Sequence, residues 1–294
     1  MNAAVETQGL GKRFGRVSAL EDLSLRVAEG EVFGFLGPNG AGKTTTIRLL
    51  LGLLRPSAGS ATVLGRAVRA GGAAWRAGIG YLPGELALWP DLTGQETLDQ
   101  LARLAGAPPT RRHELLERLA LRPEDLRRPV RTWSDGMKQK LGIVQALETE
   151  PRLLLLDEPT KGLDPLVQQG FYALLGEARD RGATIFFSSH VVPEVERVCD
   201  RVAMLRTGRL VALESVEAVR RAQRRRVTVV LGAGADVEAL ARFGTVTARD
   251  ADRIELLVAA RDVPALVAHL GTVALTDVTI EAPSLEDAFM EHYR

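Results

Sequence analysis

A chain of 294 residues is too long for one small domain and fits one large domain joined to a modest second one. Its 46% apolar and 26% charged residues exclude a disordered chain, and no run approaches the roughly 18 uncharged apolar residues of a spanning helix, so a cytosolic chain is expected. The 38 Lys and Arg offset 37 Asp and Glu, which removes the electrostatic case for a nucleic-acid partner, and the single cysteine, Cys199, excludes a disulfide framework and a cysteine-built zinc site.

Short apolar segments at 3–7 and 23–27, broken by Gly9, Gly11, Gly15 and Gly30, predict a small antiparallel sheet. The run 32–36 predicts a compact buried strand entering a glycine-rich turn at 37–42. A helix follows with Ile47, Leu50, Leu51 and Leu54 on its apolar face, ended by Pro56, Ser57 and Gly59. From residue 93 to 150 helical spacing dominates, with Pro108, Pro109, Pro123 and Pro129 separating the helices. Alternation then resumes as strand 153–156, helix 166–180, strand 184–188, helix 192–199 and strand 202–205. Unbroken Leu, Val and Ile strands, each followed by a helix, imply a parallel sheet covered on both faces. Cys199, on an apolar stretch, reads as a buried inert thiol.

Near Arg220 the texture changes. Arg220, Arg221, Arg224, Arg225 and Arg226 read as a solvated linker face. Short elements follow as strand 226–231, helix 236–242, strand 245–249, strand 253–258, helix 262–269 and strand 273–280, the split βαβ, ferredoxin-like order. A last helix is expected to open at Ser284, with Glu286 and Asp287 in its first turn.

Two motifs carry chemistry. The run GPNGAGKT at 37–44 fits G-x-x-x-x-G-K-[ST] between a strand and a helix. There the backbone of Gly37, Pro38, Asn39, Gly40, Ala41 and Gly42 can cradle phosphates at a helix N-terminus, Lys43 can reach the terminal phosphates, and Thr44 can hold Mg²⁺. Thr45 is the next residue of that helix start. The strand 153–156 ends in Asp157 and Glu158, which places one carboxylate to orient the metal and a second to polarise an attacking water.

With these motifs in place, the chain resembles the nucleotide-binding subunit of ATP-binding cassette (ABC) transporters over about residues 3–215. Further family elements stand in order: Phe14 at the place of the adenine-stacking aromatic, Trp133-Ser134-Asp135-Gly136-Met137 at the signature loop, Gly162-Leu163-Asp164-Pro165 at the D-loop, and His190 at the switch histidine. The resemblance implies an α/β P-loop ATPase core over 1–215, with a mixed sheet, an antiparallel β subdomain and a helical subdomain at about 86–150. A linker at 216–224 and a C-terminal α+β ferredoxin-like accessory domain at 225–294 would follow. It implies ATP and Mg²⁺ as ligands, with Glu158 and His190 catalytic. It also implies a homodimer in which Ser134, Gly136 and Asp164 of one copy complete the other copy's ATP site.

Two departures from the family pattern stand out. Gly84 takes the place of the usual hinge glutamine, so either Glu85 takes over the metal contact or the turn is a hinge without one. Asp135 and Met137 replace signature-loop Gly and Gln, and Asp135 must point away from a phosphate or pair with Lys138. The stretch 86–93 and the ending 283–289 resemble the exporter branch that serves ABC-2 type permeases, with Trp89 and Leu92 as apolar anchors or as internal packing. That resemblance implies an ATPase subunit on the cytoplasmic face of the membrane, held there by a separate permease. A regulatory ABC ATPase with no membrane partner, or a catalytically weak nucleotide-gated binding module, are the other readings.

Overall fold

A computed structural model of the chain describes residues 2–69, 74–220, 224–232, 238–250 and 252–281. Two units are distinguished, Met1–Leu213 and Glu214–Arg294.

Alternating burial shapes the start of the first unit, where β1 (Ala3–Phe14) and β2 (Val17–Ala28) form a long antiparallel hairpin. The strands are longer than the segments 3–7 and 23–27. The glycines that look like breaks are absorbed as register shifts between Thr7 and Leu10 and between Leu10 and Lys12. All five residues of β3 (Val32–Leu36) are buried. Helix α1 (Lys43–Leu50) is shorter than the apolar spacing suggests, because the chain leaves helical geometry at Gly52, with φ 63°. Leu54 still packs on the core. Strands β4 (Ala58–Val63) and β5 (Arg66–Ala67) complete a four-stranded sheet in the order β2-β1-β4-β5.

The strand β6 (Ile79–Leu82) precedes the helical region: α2 (Gly94–Ala105), α3 (Arg112–Arg118), α4 (Pro123–Leu126) and α5 (Asp135–Leu147). Thr93 starts α2 with a capping box, its hydroxyl accepting from the Glu96 N–H while the Glu96 carboxylate accepts from the Thr93 N–H. Arg112 reaches the almost fully buried Glu148 at 2.7 Å, which ties α3 to the end of α5. Burial pushes the Glu148 carboxyl up, and the guanidinium pulls it back.

Then come β7 (Leu153–Asp157), α6 (Pro165–Asp180), β8 (Thr184–Ser189), α7 (Val192–Val198), β9 (Arg201–Arg206), β10 (Arg209–Ser215) and α8 (Val216–Arg220). The second sheet runs β10-β9-β3-β8-β7-β6, and the pairs β9·β3, β3·β8, β8·β7 and β7·β6 are parallel. Phe186 stacks between Phe33 and Phe35 at ring distances of 5.6 and 5.0 Å, so the centre of the sheet is fixed by aromatic packing. Cys199 is buried, and desolvation pushes its thiol well up, as an inert core residue requires.

In the second unit, β11 (Arg224–Leu231), β12 (Gly244–Asp250), β13 (Arg253–Ala259), α9 (Val263–Leu270) and β14 (Leu275–Glu281) form an antiparallel sheet in the order β12-β13-β11-β14 with a helix on it. Val227, Val229, Ile254, Leu256 and Leu266 form its core. This is the split βαβ arrangement, with one correction: the first crossover holds a 3₁₀ turn at Glu238–Arg242. The stretch expected as a bare linker at 216–224 contains α8, and Arg224, Arg225 and Arg226 already belong to β11, where alternate positions need the strand's apolar residues. The helix expected at Ser284 and the ending 283–289 lie outside the described residues. Among the described residues no helix is long and apolar enough to cross a membrane.

The six-membered ring of Trp133, just before α5, approaches Gly94 at the start of α2, and any Cβ there would run into it. Gly94→Ala is therefore expected to lower stability by about 1–3 kcal/mol through overpacking, read as a drop in the midpoint of a denaturant titration.

Candidate functional site

The parallel sheet brings the C-terminal ends of β3, β7 and β8 side by side, so three loops converge on one edge. The loop after β3 turns back on itself, with Gly37 N–H donating to Ser189 O and Ala41 N–H to Pro38 O. It enters α1 through Gly42 at φ 109°, where a Cβ would come within 2.6 Å of Ala19 O. Only glycine fits there. The residues from Pro38 to Thr45, with Ala19 and Glu158, line a cavity of about 170 Å³ at the N-terminus of α1.

Lys43 is 6% exposed and bends back over this loop, donating to Gly37 O at 2.6 Å and to Pro38 O at 3.3 Å. Its ammonium lies 3.1 Å from Glu158 Oε1. That contact is an ion pair without hydrogen-bond geometry, so Oε1 is a buried acceptor with no hydrogen-bond partner. Glu158 Oε2 meets His190 Nδ1 at 2.8 Å. Ammonium, carboxylate and imidazole thus form one connected line across the mouth of the cavity.

Asp157, fully buried, is held on both oxygens: Oδ2 accepts from Thr44 Oγ1 at 2.7 Å and Oδ1 from Ser188 Oγ at 2.6 Å. Glu158 is left-handed at φ 50°, uncommon for a side chain of its kind. Its N–H donates to Ser188 O at 3.1 Å, which anchors the sharp bend at the end of β7. Ser188 therefore braces both carboxylate residues, a role that sequence reading missed.

The residues fit the ligands their pattern implies. The buried Lys43 ammonium and the inward-turned loop at a helix N-terminus suit a phosphate chain. Thr44 and Asp157 offer a hydroxyl and a carboxylate oxygen, the hard donors that suit Mg²⁺. Among the described residues no three His, Cys, Asp or Glu side chains converge as a dedicated metal cage.

The remaining sequence-predicted residues stand around this centre or apart from it. Glu85 is exposed and lies outside the cluster; its neighbour Gly84 faces the Asp157 carboxylate, and a Cβ there would sit 3.1 Å from Oδ2. Phe14, 48% exposed, stands at the tip of the β1–β2 hairpin under the Lys12 ammonium, 5.0 Å from the ring centre, and Ala19 rather than Phe14 lines the cavity. Ser134 caps α5, its Oγ accepting from the Met137 N–H at 3.2 Å, which leaves its own proton available to an outside acceptor. Asp135 pairs with Lys138 at 3.3 Å on the exposed side. Asp164 caps α6, accepting from the Val167 N–H at 3.0 Å. Gly136 lies against the D-loop of its own chain, where a Cβ would meet Gly162 O at 2.6 Å. Gln139, buried on α5, donates to Pro159 O at 2.8 Å and so ties the signature helix to the loop that carries Glu158.

Residues 20–161 match the family model described as ABC transporter, and residues 223–281 match the C-terminal domain of EvrA-like ABC transporters. The chain is 35% identical to the daunorubicin resistance ATP-binding protein DrrA3 of Streptomyces coeruleorubidus, over 98% of this chain and 95% of the relative. It is 41% identical to the Nod factor export ATP-binding protein I of Rhizobium etli, over 71% of this chain and 67% of that one. A solved ATP-binding subunit of an ABC transporter superposes with a TM-score of 0.68 at 33% identity, covering 74% of this chain and 92% of its own.

If Glu85 is a surface residue of the turn, Glu85→Ala should leave steady-state ATP turnover within about twofold of the wild type. A loss of tenfold or more would place its carboxylate at the metal.

Proposed function

The chain belongs to the ATP-binding subunits of ABC transporters, and on that premise we propose that it binds and hydrolyses ATP to drive an export complex. The observation that carries this reading is the line Lys43–Glu158–His190 beside the phosphate cradle, largely buried at Lys43 and Glu158 and open to solvent at His190. In it a cation, a base and a second polar contact stand where a terminal phosphate would lie.

The backbone N–H groups of residues 38–45 and the N-terminus of α1 would hold the phosphate chain, with Lys43 on its outer oxygens. An incoming phosphate competes with Glu158 for Lys43, and the exchange releases Glu158 to act on water. Thr44 and Asp157 would hold Mg²⁺, which neutralises charge on the phosphate oxygens when bound. Glu158 takes a proton from the water whose oxygen bonds to the γ-phosphorus. The bond from that phosphorus to the bridging oxygen breaks, leaving ADP and phosphate. His190, against Glu158 Oε2, would fix the carboxylate and contact the γ-phosphate.

Two copies would meet head to tail around two ATP. The Ser134 hydroxyl and the start of α5 are suited to donate to the partner's γ-phosphate, with Gly136 and Asp164 at the same edge and Phe14 against adenine. Loss of that phosphate removes the contacts, so the pair opens. One relative is named for drug resistance and another for export, which supports an export role, and the membrane partner would be an ABC-2 type permease. Trp89, 42% exposed, and Leu92 would be anchors for it, and the chain would then sit at the cytoplasmic face of the membrane.

Glu158→Gln is expected to retain ATP affinity while turnover falls by about 10²-fold or more, and light scattering with MgATP should show a long-lived dimer. A persistent monomer in that variant would count against the shared-site arrangement. Lys43→Ala should weaken ATP binding about 10- to 100-fold in a titration, since one charge-assisted contact to phosphate is lost.

A further inference from the structure

Glu158 and His190 touch, yet they belong to different loops, one after β7 and one after β8. The ladder between these strands reaches its last pair at Asp157 and Ser188. Past that pair one more backbone bond, from the Glu158 N–H to Ser188 O at 3.1 Å, ties the bend to β8, and Thr160 and His190 lie beyond it.

One side chain spans them. Glu194, in the first turn of α7, accepts from Thr160 Oγ1 at 2.6 Å on Oε1 and from Ser189 Oγ at 2.7 Å on Oε2. Thr160 is two residues after Glu158, and Ser189 immediately precedes His190. Both residues are buried, at 6% and 0% exposure, so each hydroxyl needs an acceptor, and the Glu194 carboxyl supplies one to each. Ser189 Oγ also accepts from the Val191 N–H at 3.0 Å, which holds the backbone on both sides of His190. These two bonds leave α7, as does the hydrogen bond with the Tyr172 phenol, so the carboxylate is not acting as a cap of its own helix. Tyr172 of α6 stands beside it. Burial first, and the Glu194 charge next, push that phenol up to about 12, so it faces the carboxylate as a neutral hydroxyl.

We propose that Glu194 is a positioning residue for ATP hydrolysis, a two-armed brace that sets Glu158 and His190 at contact distance without touching the nucleotide. This rests on the reading of Glu158 and His190 as the hydrolytic pair. An amide in its place keeps one acceptor and presents N–H groups to the other hydroxyl, whose buried proton is then left without a partner. One loop comes loose while the fold and the phosphate cradle stay as they are.

The test uses the full-length chain with MgATP. Glu194→Gln is expected to lower kcat about tenfold, with KM and titrated ATP affinity within twofold of the wild type and the melting temperature held. Thr160→Val and Ser189→Ala, each removing one arm, should lower kcat in the same direction and keep the idea testable if the Glu194 variant folds poorly. Combining Glu194→Gln with Thr160→Val should cost no more than Glu194→Gln alone, because both break one unit. Unchanged kcat in Glu194→Gln, a matching rise in KM with a fallen melting temperature, or multiplicative losses in the double variant would overturn the proposal. An inactive Glu158→Gln beside a fully active Glu194→Gln would sink this inference alone. A Glu158→Gln that hydrolyses at the wild-type rate would sink the hydrolytic reading beneath it.

Discussion

Lys43 and Glu158 are carried by different loops, yet their charges meet 3.1 Å apart, with side chains only 6% and 17% exposed. Neither would be stable alone at that depth, since an unpaired buried charge costs several kcal/mol. Each depends on the sheet for its partner. β3 delivers the loop that bears Lys43, β7 delivers Glu158, and β8 lies between them as the shared neighbour. The backbone ladder fixes the spacing of β3 and β8, and the rings of Phe33, Phe35 and Phe186 pack over the pair, so apolar packing supports the strands that deliver an ionic contact.

Ser188 extends the same logic to the second carboxylate. A single hydroxyl and carbonyl at the end of β8 hold Asp157 by its side chain and Glu158 by its backbone. The left-handed bend at Glu158 is tolerated because three neighbours hold it: Ser188 at its N–H, Lys43 at one oxygen and His190 at the other. Further along, Gln139 ties the next carbonyl to the signature helix, so the loop beyond β7 is held from the sheet side and the helical side alike.

Much of this was legible in the sequence, because the chemistry there is local. The glycine spacing around Lys43, the apolar run into Asp157 and Glu158, and the βαββαβ rhythm of the second unit are patterns a few residues long. What escaped was long-range or small. The roles of Ser188, Gln139 and Thr160 appear only once strands and helices distant in sequence are side by side, and a lone Ser, Gln or Thr carries no periodicity. Gly9 and Gly11 looked like breaks because a bulge costs a strand little when its partner can shift register. The arginines at 224–226 read as linker because charge masked the alternation that places Val227 and Val229 in a core. Asp135, a departure from the family's signature loop, turns outward to Lys138.

Trp133 and Gly94 give the signature region a private lock. The indole fills the ground above the first residue of α2, and only a residue without a side chain leaves room for it. The two positions are therefore interchangeable only as a pair. A chimaera that imported a smaller leading residue from another cassette would leave a hollow over Gly94, just ahead of Ser134 and α5. Swapping such loops between homologues thus moves a packing partner together with a string of letters.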